Sequence, residues 1–367
     1  MAFTVTGQLD ITPRRRLHNL MWASTRSSLA KARRHISLIA ALRRYDRSRV
    51  MENESLLPRH IQMRRQYDRN RYARHLSQSE LDRRIRDILL NLLILTPEAK
   101  IGLLALNNEG AMWIEKWTHM LEEMQLRYGP YPAGFTRNIL HSDPFPNLAS
   151  DLARKAAEAL KGDGLRLGSF MIKYGKRAHM ERLFHDGSLR IQPASYFTER
   201  DLNGAVRDDE RRLPLSFALS REDIKKIVVN PNDIPEVIPD HRVDLVFQSP
   251  GDYWMYCVTQ SVEPRLFVDF EADACVIVRD RPAFASRLHT VVSAALAGAT
   301  HQARSIEYVD PLLPKTTRIF LPFAKHFGYS YQSEHRFCWF PVNPVPKLQH
   351  VDLSIGGLED IAELVKL

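Results

Sequence analysis

The 367-residue sequence lacks the features that mark secreted and membrane-spanning proteins. It has three cysteines, Cys257, Cys275 and Cys338, which lie far apart and form no CxxC pair. A disulfide framework is therefore not expected, and a reducing compartment fits best. The first residues, MAFTVTGQLDITPRRR, contain no apolar run like that of a secretory signal. The most apolar stretch, ILLNLLIL at 88–95, is too short to span a bilayer and is predicted to be a buried helix. We therefore expect a cytoplasmic protein without a membrane partner.

Motifs of several common chemistries are also missing. The sequence has no GxGxxG or GxxxxGK[ST] loop, which disfavours Rossmann dehydrogenases and P-loop NTPases. It has no GxSxG nucleophile elbow, and its 14 histidines include no HExxH pair. The run RDDER at 207–211 offers Asp208, Asp209 and Glu210 to a divalent cation, as a metal-dependent nuclease would require. Three adjacent residues of an extended strand cannot all converge on one ion, so we expect an exposed loop there and no metal.

The positive charge is concentrated in the first quarter of the chain. Residues 1–90 hold 20 Lys and Arg against 8 Asp and Glu, a balance of +12, whereas the whole chain has a net charge of +9. Arginines interleaved with tyrosines suit phosphate contacts combined with base stacking. Residues 14–90 are therefore predicted to bind nucleic acid, with an acidic protein partner or a solvated helix face as alternatives. The candidate contact residues are Arg33, Arg34, Arg43, Arg44, Arg64, Arg65, Tyr67, Arg71 and Tyr72.

The predicted secondary structure changes from helices to strands near residue 166. The first part reads as all-helical, with a cap at Ser77 or Ser79, a helix start at Thr96-Pro97 and a helix stop at Gly129. The second part is rich in strand-like segments, among them 168–175, 223–230, 254–261 and 274–280, with a short helix closed by Gly187. We predict two domains: a basic all-α domain at 1–165, and an α+β domain with a mixed or antiparallel sheet at 166–367.

The stretch YSYQSEHRF at 329–337 alternates like a strand. The alternation places Gln332, Glu334 and Arg336 on one face. A transferase acting on NAD needs a carboxylate beside the ribose, because positive charge develops there as nicotinamide leaves. A polar group two residues earlier would lie beside that carboxylate and position the acceptor. Gln332 and Glu334 have this spacing, and the alternative role for Glu334 is a structural ion pair with Arg336.

The surrounding segments resemble a known superfamily. A first strand at Lys173-Tyr174, a hydroxyl-bearing strand at Thr259-x-Ser261 and a late Q-x-E strand, in that order, resemble the ADP-ribosyltransferases. The phrases YGKRAHMERLFHDGSLRI, YCVTQS, DACVIVRDRPAF and YSYQSEHRF resemble a poorly characterised group of bacterial proteins associated with phage defence and toxin–antitoxin loci. The resemblance covers about 168–340 and does not extend to the first 165 residues.

The resemblance implies a transferase fold, NAD as substrate, an antitoxin as partner and a role for particular residues. Glu334 falls on the catalytic glutamate of the superfamily, with Gln332 before it; the NAD pocket falls on Lys173, Tyr174, Tyr196, Thr259 and Ser261. The superfamily usually has Arg or His at the first-strand position and Ser-Thr-Ser on the hydroxyl strand. Because this chain has neither, a non-enzymatic binding protein built on a degenerate transferase-like scaffold is the alternative function.

Overall fold

The computed structural model describes residues 4–5, 56–130, 146–161, 169–199, 205, 208–217, 243–313 and 319–367. Four predicted nucleic-acid contacts (Arg33, Arg34, Arg43 and Arg44), the strand predicted at 223–230 and the domain boundary predicted at 165/166 lie outside these residues. The described chain has an α+β fold that combines helices with a multi-stranded antiparallel sheet, where an α+β fold with a mixed or antiparallel sheet was predicted for 166–367. Within these ranges, no helix is both long and apolar enough to cross a membrane.

The helices occupy the first half of the described chain and the connections of the sheet. The α-helices are α1 (Arg59–Arg69), α2 (Gln78–Leu92), α3 (Asn108–Tyr128), α4 (Asp151–Ala159), α5 (Arg177–Asp186), α6 (Arg265–Asp269) and α7 (Arg281–Ala295). Single 3-10 turns cover Ala194–Thr198, Leu321–Phe323 and Phe327–Gln332.

The strands are mostly short. They are β1 (Thr4–Val5), β2 (Leu93–Leu95), β3 (Ile101–Leu103), β4 (Met171–Gly175), β5 (Ser188–Pro193), β6 (Arg212–Phe217), β7 (Val243–Gln248), β8 (Trp254–Thr259), β9 (Ala274–Val278), β10 (Thr300–Ser305), β11 (Glu307–Val309), β12 (Ala324–His326), β13 (Glu334–Phe340), β14 (Val351–Ser354) and β15 (Ala362–Lys366).

The main sheet has the strand order β10-β13-β8-β4-β9-β15, and every pairing in it is antiparallel. Strand β8 changes neighbours along its length. Its first residues, Trp254 and Met255, pair with β5, whereas its last residue, Thr259, pairs with Ile172 of β4. Strands β4 and β8 therefore diverge and leave a split in the sheet near Cys257.

Local capping signals place several element ends where the sequence predicts them. Ser77 caps α2 and forms a capping box with Glu80. Helix α3 ends at Gly129, and α5 ends at Gly187 in the left-handed conformation with φ of 64°. A Cβ at Gly187 would lie 2.0 Å from the carbonyl oxygen of Gly356, so only glycine fits this position.

The predicted helix start at Thr96-Pro97 is wrong, and the first part of the chain is not all-helical. Helix α2 ends at Leu92, and the chain continues directly into the β2–β3 hairpin. Thr96 and Pro97 lie in the hairpin turn, where the Lys100 amide donates to the Thr96 hydroxyl at 3.3 Å. Leu95 is buried against Ala153 and Ala157 of α4, so tertiary packing favours the extended conformation over a helical cap.

The N-terminal helices pack directly on the strand-rich half. One hydrophobic cluster joins Tyr67 of α1 and Trp113 of α3 to Leu312 and Phe327. The Trp113 and Phe327 rings stack with centroids 5.6 Å apart. Arg84 of α2 forms a buried two-pronged ion pair with Asp310, with both nitrogen–oxygen distances 2.9 Å. These contacts join the helices to the segment that follows β11 and to the 3-10 turn that precedes β13.

The alternating stretch 329–337 is a strand only in its second half. Residues Phe327–Gln332 form a 3-10 turn, Ser333 has a positive φ of 43°, and β13 begins at Glu334. All seven residues of β13 are buried. The alternation therefore reflects two buried faces of a central strand, rather than one solvated and one buried face.

Candidate functional site

A cavity of about 260 Å³ opens at the split between β4 and β8. It collects five of the residues predicted from the sequence to act together, namely Lys173, Tyr174, Thr259, Gln332 and Glu334. The side chains that complete its wall include Arg190, Gln192, Phe197, Glu210, Tyr256, Cys257, Phe270 and Lys325. The cavity therefore combines aromatic walls with several charged groups.

Three neighbouring strands bring the predicted residues into one row. In the register of the sheet, Ile172 of β4 pairs with Thr259 of β8, and Thr259 pairs with Glu334 of β13. Lys173 and Tyr174 directly follow Ile172 on β4. Ile172 and Thr259, 87 positions apart, and Thr259 and Glu334, 75 positions apart, are thus side by side because the three strands are adjacent in the sheet.

Glu334 belongs to a buried charge cluster that consists of Glu210, Lys325, Glu334 and Arg336. The Arg336 guanidinium bridges the two carboxylates, with Nε 2.6 Å from Oε1 of Glu334 and Nη2 2.7 Å from Oε2 of Glu210. The Lys325 amine lies 3.2 Å from Oε2 of Glu334 and 3.4 Å from Oε1 of Glu210. Two cations and two anions balance, as burial of charge requires.

The cluster keeps Glu334 ionised. Burial by itself favours the neutral acid, but the charges of Arg336 and Lys325 outweigh it and hold the pKa of Glu334 well below its usual range. Lys325 is affected in the complementary sense: burial opposes its charge, and Glu334 and Glu210 raise its pKa well above the ordinary value. The nearby carboxyl of Asp208 behaves differently, because burial and the charge of Glu210 raise its pKa to about 6.

Gln332 lies beside Glu334, but not on the same strand as the sequence predicts. Its side-chain oxygen accepts a hydrogen bond from Lys325 at 3.2 Å, and the same amine donates to Glu334 at 3.2 Å. The Gln332 amide nitrogen donates to the Ala205 carbonyl at 2.9 Å. The shared lysine, rather than strand periodicity, places the two side chains next to each other.

Thr259 forms a hydrogen bond with the turn that precedes β13. Its hydroxyl donates to the backbone carbonyl of Gln332 at 2.5 Å, and it also accepts from the Ser261 amide at 3.4 Å. Ser261 and Tyr196 are not among the residues that line the cavity; Phe197, the neighbour of Tyr196, takes that place. The hydroxyl strand therefore supports the Gln332–Glu334 segment from behind.

Lys173 projects into the split of the sheet. Its amine donates to the Cys257 carbonyl at 2.8 Å and lies 4.7 Å from the centre of the Tyr256 ring. Neither contact is a carboxylate, and burial lowers the pKa of the amine. An ammonium group has three N–H donors, so two remain for a group inside the cavity. Tyr174, in contrast, packs edge-on against Phe267 in the core, with its hydroxyl 3.4 Å from the Glu263 carbonyl.

Two of the predicted nucleic-acid contacts are core residues instead. Tyr67 is completely buried, and its hydroxyl donates to Glu123 at 2.6 Å. Tyr72 is also buried, with its hydroxyl 3.2 Å from Nδ1 of His119. Neither ring is accessible to a base, so the prediction of stacking is wrong for both; the helical spacing of aromatic residues here marks the core.

The arginines predicted to contact nucleic acid differ in whether they form ion pairs within the protein. Arg71 pairs with Glu123 at 3.1 Å, and Arg64 pairs with Glu122 at 3.0 Å. Arg65 is exposed on α1. Of the predicted contact residues in the described part of the chain, Arg65 is the exposed one, and Arg64 and Arg71 are half-buried.

The acidic run at 208–210 contributes to the charge cluster. Glu210 is buried between Lys325 and Arg336, and Asp209 accepts from the Arg211 amide at 3.2 Å. The predicted exposed loop is therefore wrong for Glu210, which is 5 % exposed. Across the described ranges, no group of three or more His, Cys, Asp or Glu side chains is arranged to hold a metal ion.

Sequence reasoning missed Lys325 and the role of Glu210. Lys325 interrupts the apolar run 319–324 ahead of Phe327, and a lone lysine in such a run signals a buried charge that needs partners. That signal does not identify the partners. Glu210 lies 115 positions before Lys325, so only the tertiary structure shows that the two residues meet.

A larger open groove of about 1000 Å³ is lined by Met171, His335 and Phe337 and by the start of α7. His335 and Phe337 alternate with Glu334 and Arg336 along β13, so this groove lies on the opposite face of the strand. It contains none of the residues predicted to act in the site. The smaller cavity is therefore the candidate site despite its size.

The cavity, the row of paired residues on β4, β8 and β13, and the charge cluster together form the candidate site. Comparison of the chain with protein-family models, with curated proteins and with solved structures finds no match.

Proposed function

We propose that the protein is an ADP-ribosyltransferase that takes NAD as substrate and modifies a macromolecule. The single observation that carries the proposal is the row Ile172–Thr259–Glu334, which puts the three segments of the sequence resemblance on adjacent strands beside one cavity. The six-strand order of the main sheet agrees with this reading, because it makes the strands of Lys173, Thr259 and Glu334 neighbours.

The cavity fits part of the substrate. Its volume of about 260 Å³ lies just under the range of roughly 300–1000 Å³ that is typical of ligand pockets. It can therefore hold a nucleoside-sized portion of NAD, and the rest of the dinucleotide would lie outside it. The aromatic walls of Tyr256, Phe197 and Phe270 suit a flat ring, and the two remaining donors of Lys173 suit a hydroxyl or phosphate oxygen.

The reaction breaks the bond between ribose and nicotinamide. The electron pair leaves with nicotinamide, and the acceptor forms a bond to the same ribose carbon and releases its proton to water. Glu334 stabilises the positive charge that develops on the ribose, because its carboxylate stays ionised at neutral pH. Gln332, held beside it by Lys325, orients the acceptor.

The basic N-terminal region suggests the acceptor. Arg65 on α1 is exposed, and residues 1–90 carry a charge balance of +12, which favours a nucleic acid as the molecule that is brought to the site. A transferase of this kind would act as a toxin or phage-defence effector in the cytoplasm, and an antitoxin would be its natural inhibitor.

A second candidate function is a non-enzymatic binding protein. It is favoured by one observation, that both carboxylate oxygens of Glu334 already have cationic partners inside the protein. In that case the charge cluster stabilises a scaffold, and the basic helices bind nucleic acid or a partner protein.

The deciding experiment follows nicotinamide release and label transfer from radiolabelled NAD, with RNA, DNA and cell protein offered as separate acceptors. Wild type is compared with Glu334→Gln, which keeps the shape of the side chain and removes its charge. We expect transfer to one acceptor class by wild type, and a loss of at least about 100-fold in the variant. Glu181→Gln, the same substitution at an ion pair with Arg177 on α5 that does not line the cavity, is the matched control.

Folding has to be checked in parallel by circular dichroism and thermal unfolding. A folded wild type that releases no nicotinamide, and whose melting temperature does not respond to NAD, would contradict the transferase. The binding protein would then be the better account of the structure.

A further inference from the structure

The turn Phe327–Gln332 packs against the N-terminal helices and forms hydrogen bonds with α2. The 3-10 turn Phe327–Gln332 leads directly into Glu334 through Ser333, whose positive φ costs conformational energy and needs support from its surroundings. The position of this turn therefore determines where the Gln332 and Glu334 side chains point.

Asn91 of α2 makes the central contact with this turn. Its side-chain nitrogen donates to the Gly328 carbonyl at 2.9 Å and to the Asp87 carbonyl at 2.7 Å, and its side-chain oxygen accepts from the Tyr331 amide at 2.8 Å. Asn91 is 4 % exposed. One buried side chain thus satisfies backbone groups at both ends of the turn.

Arg265 of α6 reinforces the same junction. Its guanidinium lies 3.8 Å from the centre of the Tyr331 ring, and Nη1 donates to the Leu90 and Leu93 carbonyls at the end of α2, the latter at 3.2 Å. The stacked Trp113 and Phe327 rings hold the other end of the turn. Residues before the predicted boundary at 165/166 therefore build the support of the site.

We propose that Asn91 is a positioning residue of the candidate site, so that the N-terminal helical part is required for the geometry of Gln332 and Glu334 and is more than a tether for a partner. The effect on catalysis rests on the proposed transferase function. The contact itself does not, because Asn91 holds the turn whatever the cavity does.

The test compares full-length wild type with Asn91→Ala and with Leu81→Ala. Leu81 is completely buried in the same helix, so Leu81→Ala lowers stability without removing a hydrogen bond to the turn. Hydrogen exchange of peptides that cover residues 327–333 is measured well below the melting temperature of each variant. We expect exchange of this segment to be about 10-fold faster in Asn91→Ala and close to wild type in Leu81→Ala.

The kinetic readout separates positioning from general destabilisation. In Asn91→Ala, kcat for nicotinamide release should fall about 10- to 100-fold while KM for NAD changes little, because Lys173 and the aromatic wall remain in place. Leu81→Ala should keep kcat. If Asn91→Ala does not fold, Asn91→Asp tests the same contact: it has nearly the same volume, keeps the acceptor for the Tyr331 amide and loses the donor to Gly328.

The outcomes distinguish the two ideas. Unchanged exchange at 327–333 in a folded Asn91 variant overturns the positioning role, with or without enzyme activity. Faster exchange in the variant, together with a wild type that releases no nicotinamide, supports the positioning contact and overturns the transferase. Equal losses of kcat in Asn91→Ala and Leu81→Ala also overturn the positioning role, since both would then act through stability.

Discussion

Glu334 and Arg336, two residues apart on β13, form a buried ion pair in which Nε of Arg336 lies 2.6 Å from Oε1 of Glu334. The same guanidinium reaches Glu210 at 2.7 Å, so it is shared between two carboxylates. The ion pair has two effects. It compensates charge in a central strand, and it keeps a carboxylate ionised at the edge of a cavity.

Loss of Arg336 should unbalance the charge cluster. Arg336→Met leaves Glu334 and Glu210 with Lys325 alone, and we expect the free energy of unfolding to fall by about 3–5 kcal/mol. The double variant Arg336→Met with Glu210→Gln restores charge balance and should recover part of that loss. Urea unfolding of both variants and of Glu210→Gln completes the cycle. A double variant whose loss equals the sum of the two single losses would show that the pair is not coupled.

Asp310 should couple the N-terminal helices to the strand half. It pairs with Arg84 at 2.9 Å and also with Lys116, and it is 7 % exposed. Asp310→Asn leaves two cations without their anion, so we expect a loss of about 3 kcal/mol, seen by calorimetry as one transition shifted to lower temperature.

The control for this change is Asp352→Asn. Asp352 pairs with Arg190 on the surface, where both side chains are more than half exposed, and its loss should cost less than about 1 kcal/mol. Two separate transitions, with only one of them shifted by Asp310→Asn, would contradict the coupling.

Asp87 should make stability depend on pH near neutrality. Burial raises the pKa of its carboxyl to about 7, above the value of about 3.9 expected in the unfolded chain. Its protonation therefore stabilises the fold fully below about pH 4, and this contribution is lost as the pH rises through about 7. Asp87→Asn removes the titration. As the pH rises from 5 to 8, the free energy of unfolding of wild type should therefore fall by about 2 kcal/mol relative to that of the variant.

Unfolding curves in urea at both pH values measure this difference. Asp68→Asn on the exposed face of α1 is the control and should track wild type at both pH values. The same pH dependence in wild type and Asp87→Asn would mean that another group titrates.

Lys173 should matter for a ligand more than for the fold. Burial lowers the pKa of its amine, and its contacts are a backbone carbonyl and an aromatic ring. We expect Lys173→Met to change the free energy of unfolding by less than about 1 kcal/mol, because the lost contacts are offset by the removal of a buried charge. The thermal shift produced by NAD in wild type should disappear in this variant. A retained shift would place the substrate elsewhere.

Substitution of Arg65 should weaken RNA binding, whereas substitution of Tyr67 should not. Arg65→Ala should weaken binding and reduce the slope of log affinity against log salt by about 1, since it removes one phosphate contact. Tyr67→Phe should leave affinity unchanged and lower stability by about 1–2 kcal/mol, because the hydroxyl bonds the buried Glu123. Weaker RNA binding by a stable Tyr67→Phe variant would contradict the burial of this ring.

Several helix ends could be predicted from the sequence because the residues that define them are close together in the chain. Ser77 with Glu80 defines a helix start, and Gly129 and Gly187 define helix ends, since each depends on a few neighbouring backbone groups. The strand predicted at 254–261 is present at Trp254–Thr259, and the sheet predicted to be mixed or antiparallel is antiparallel at this strand. Thr96-Pro97 misled because the same two residues suit a turn, and the burial of Leu95 against α4 decided between the two.

The sequence by itself determined that Glu334 and Arg336 share a face, because alternation along a strand is a property of the backbone. It also singled out Gln332, Thr259 and Lys173 as candidates. Only the tertiary structure decided that these residues meet at one cavity, that Lys325 and Glu210 join them, and that Tyr67 and Tyr72 are buried. The reason is physical: which strands become neighbours, and which charges must be paired, depends on contacts between segments far apart in the chain.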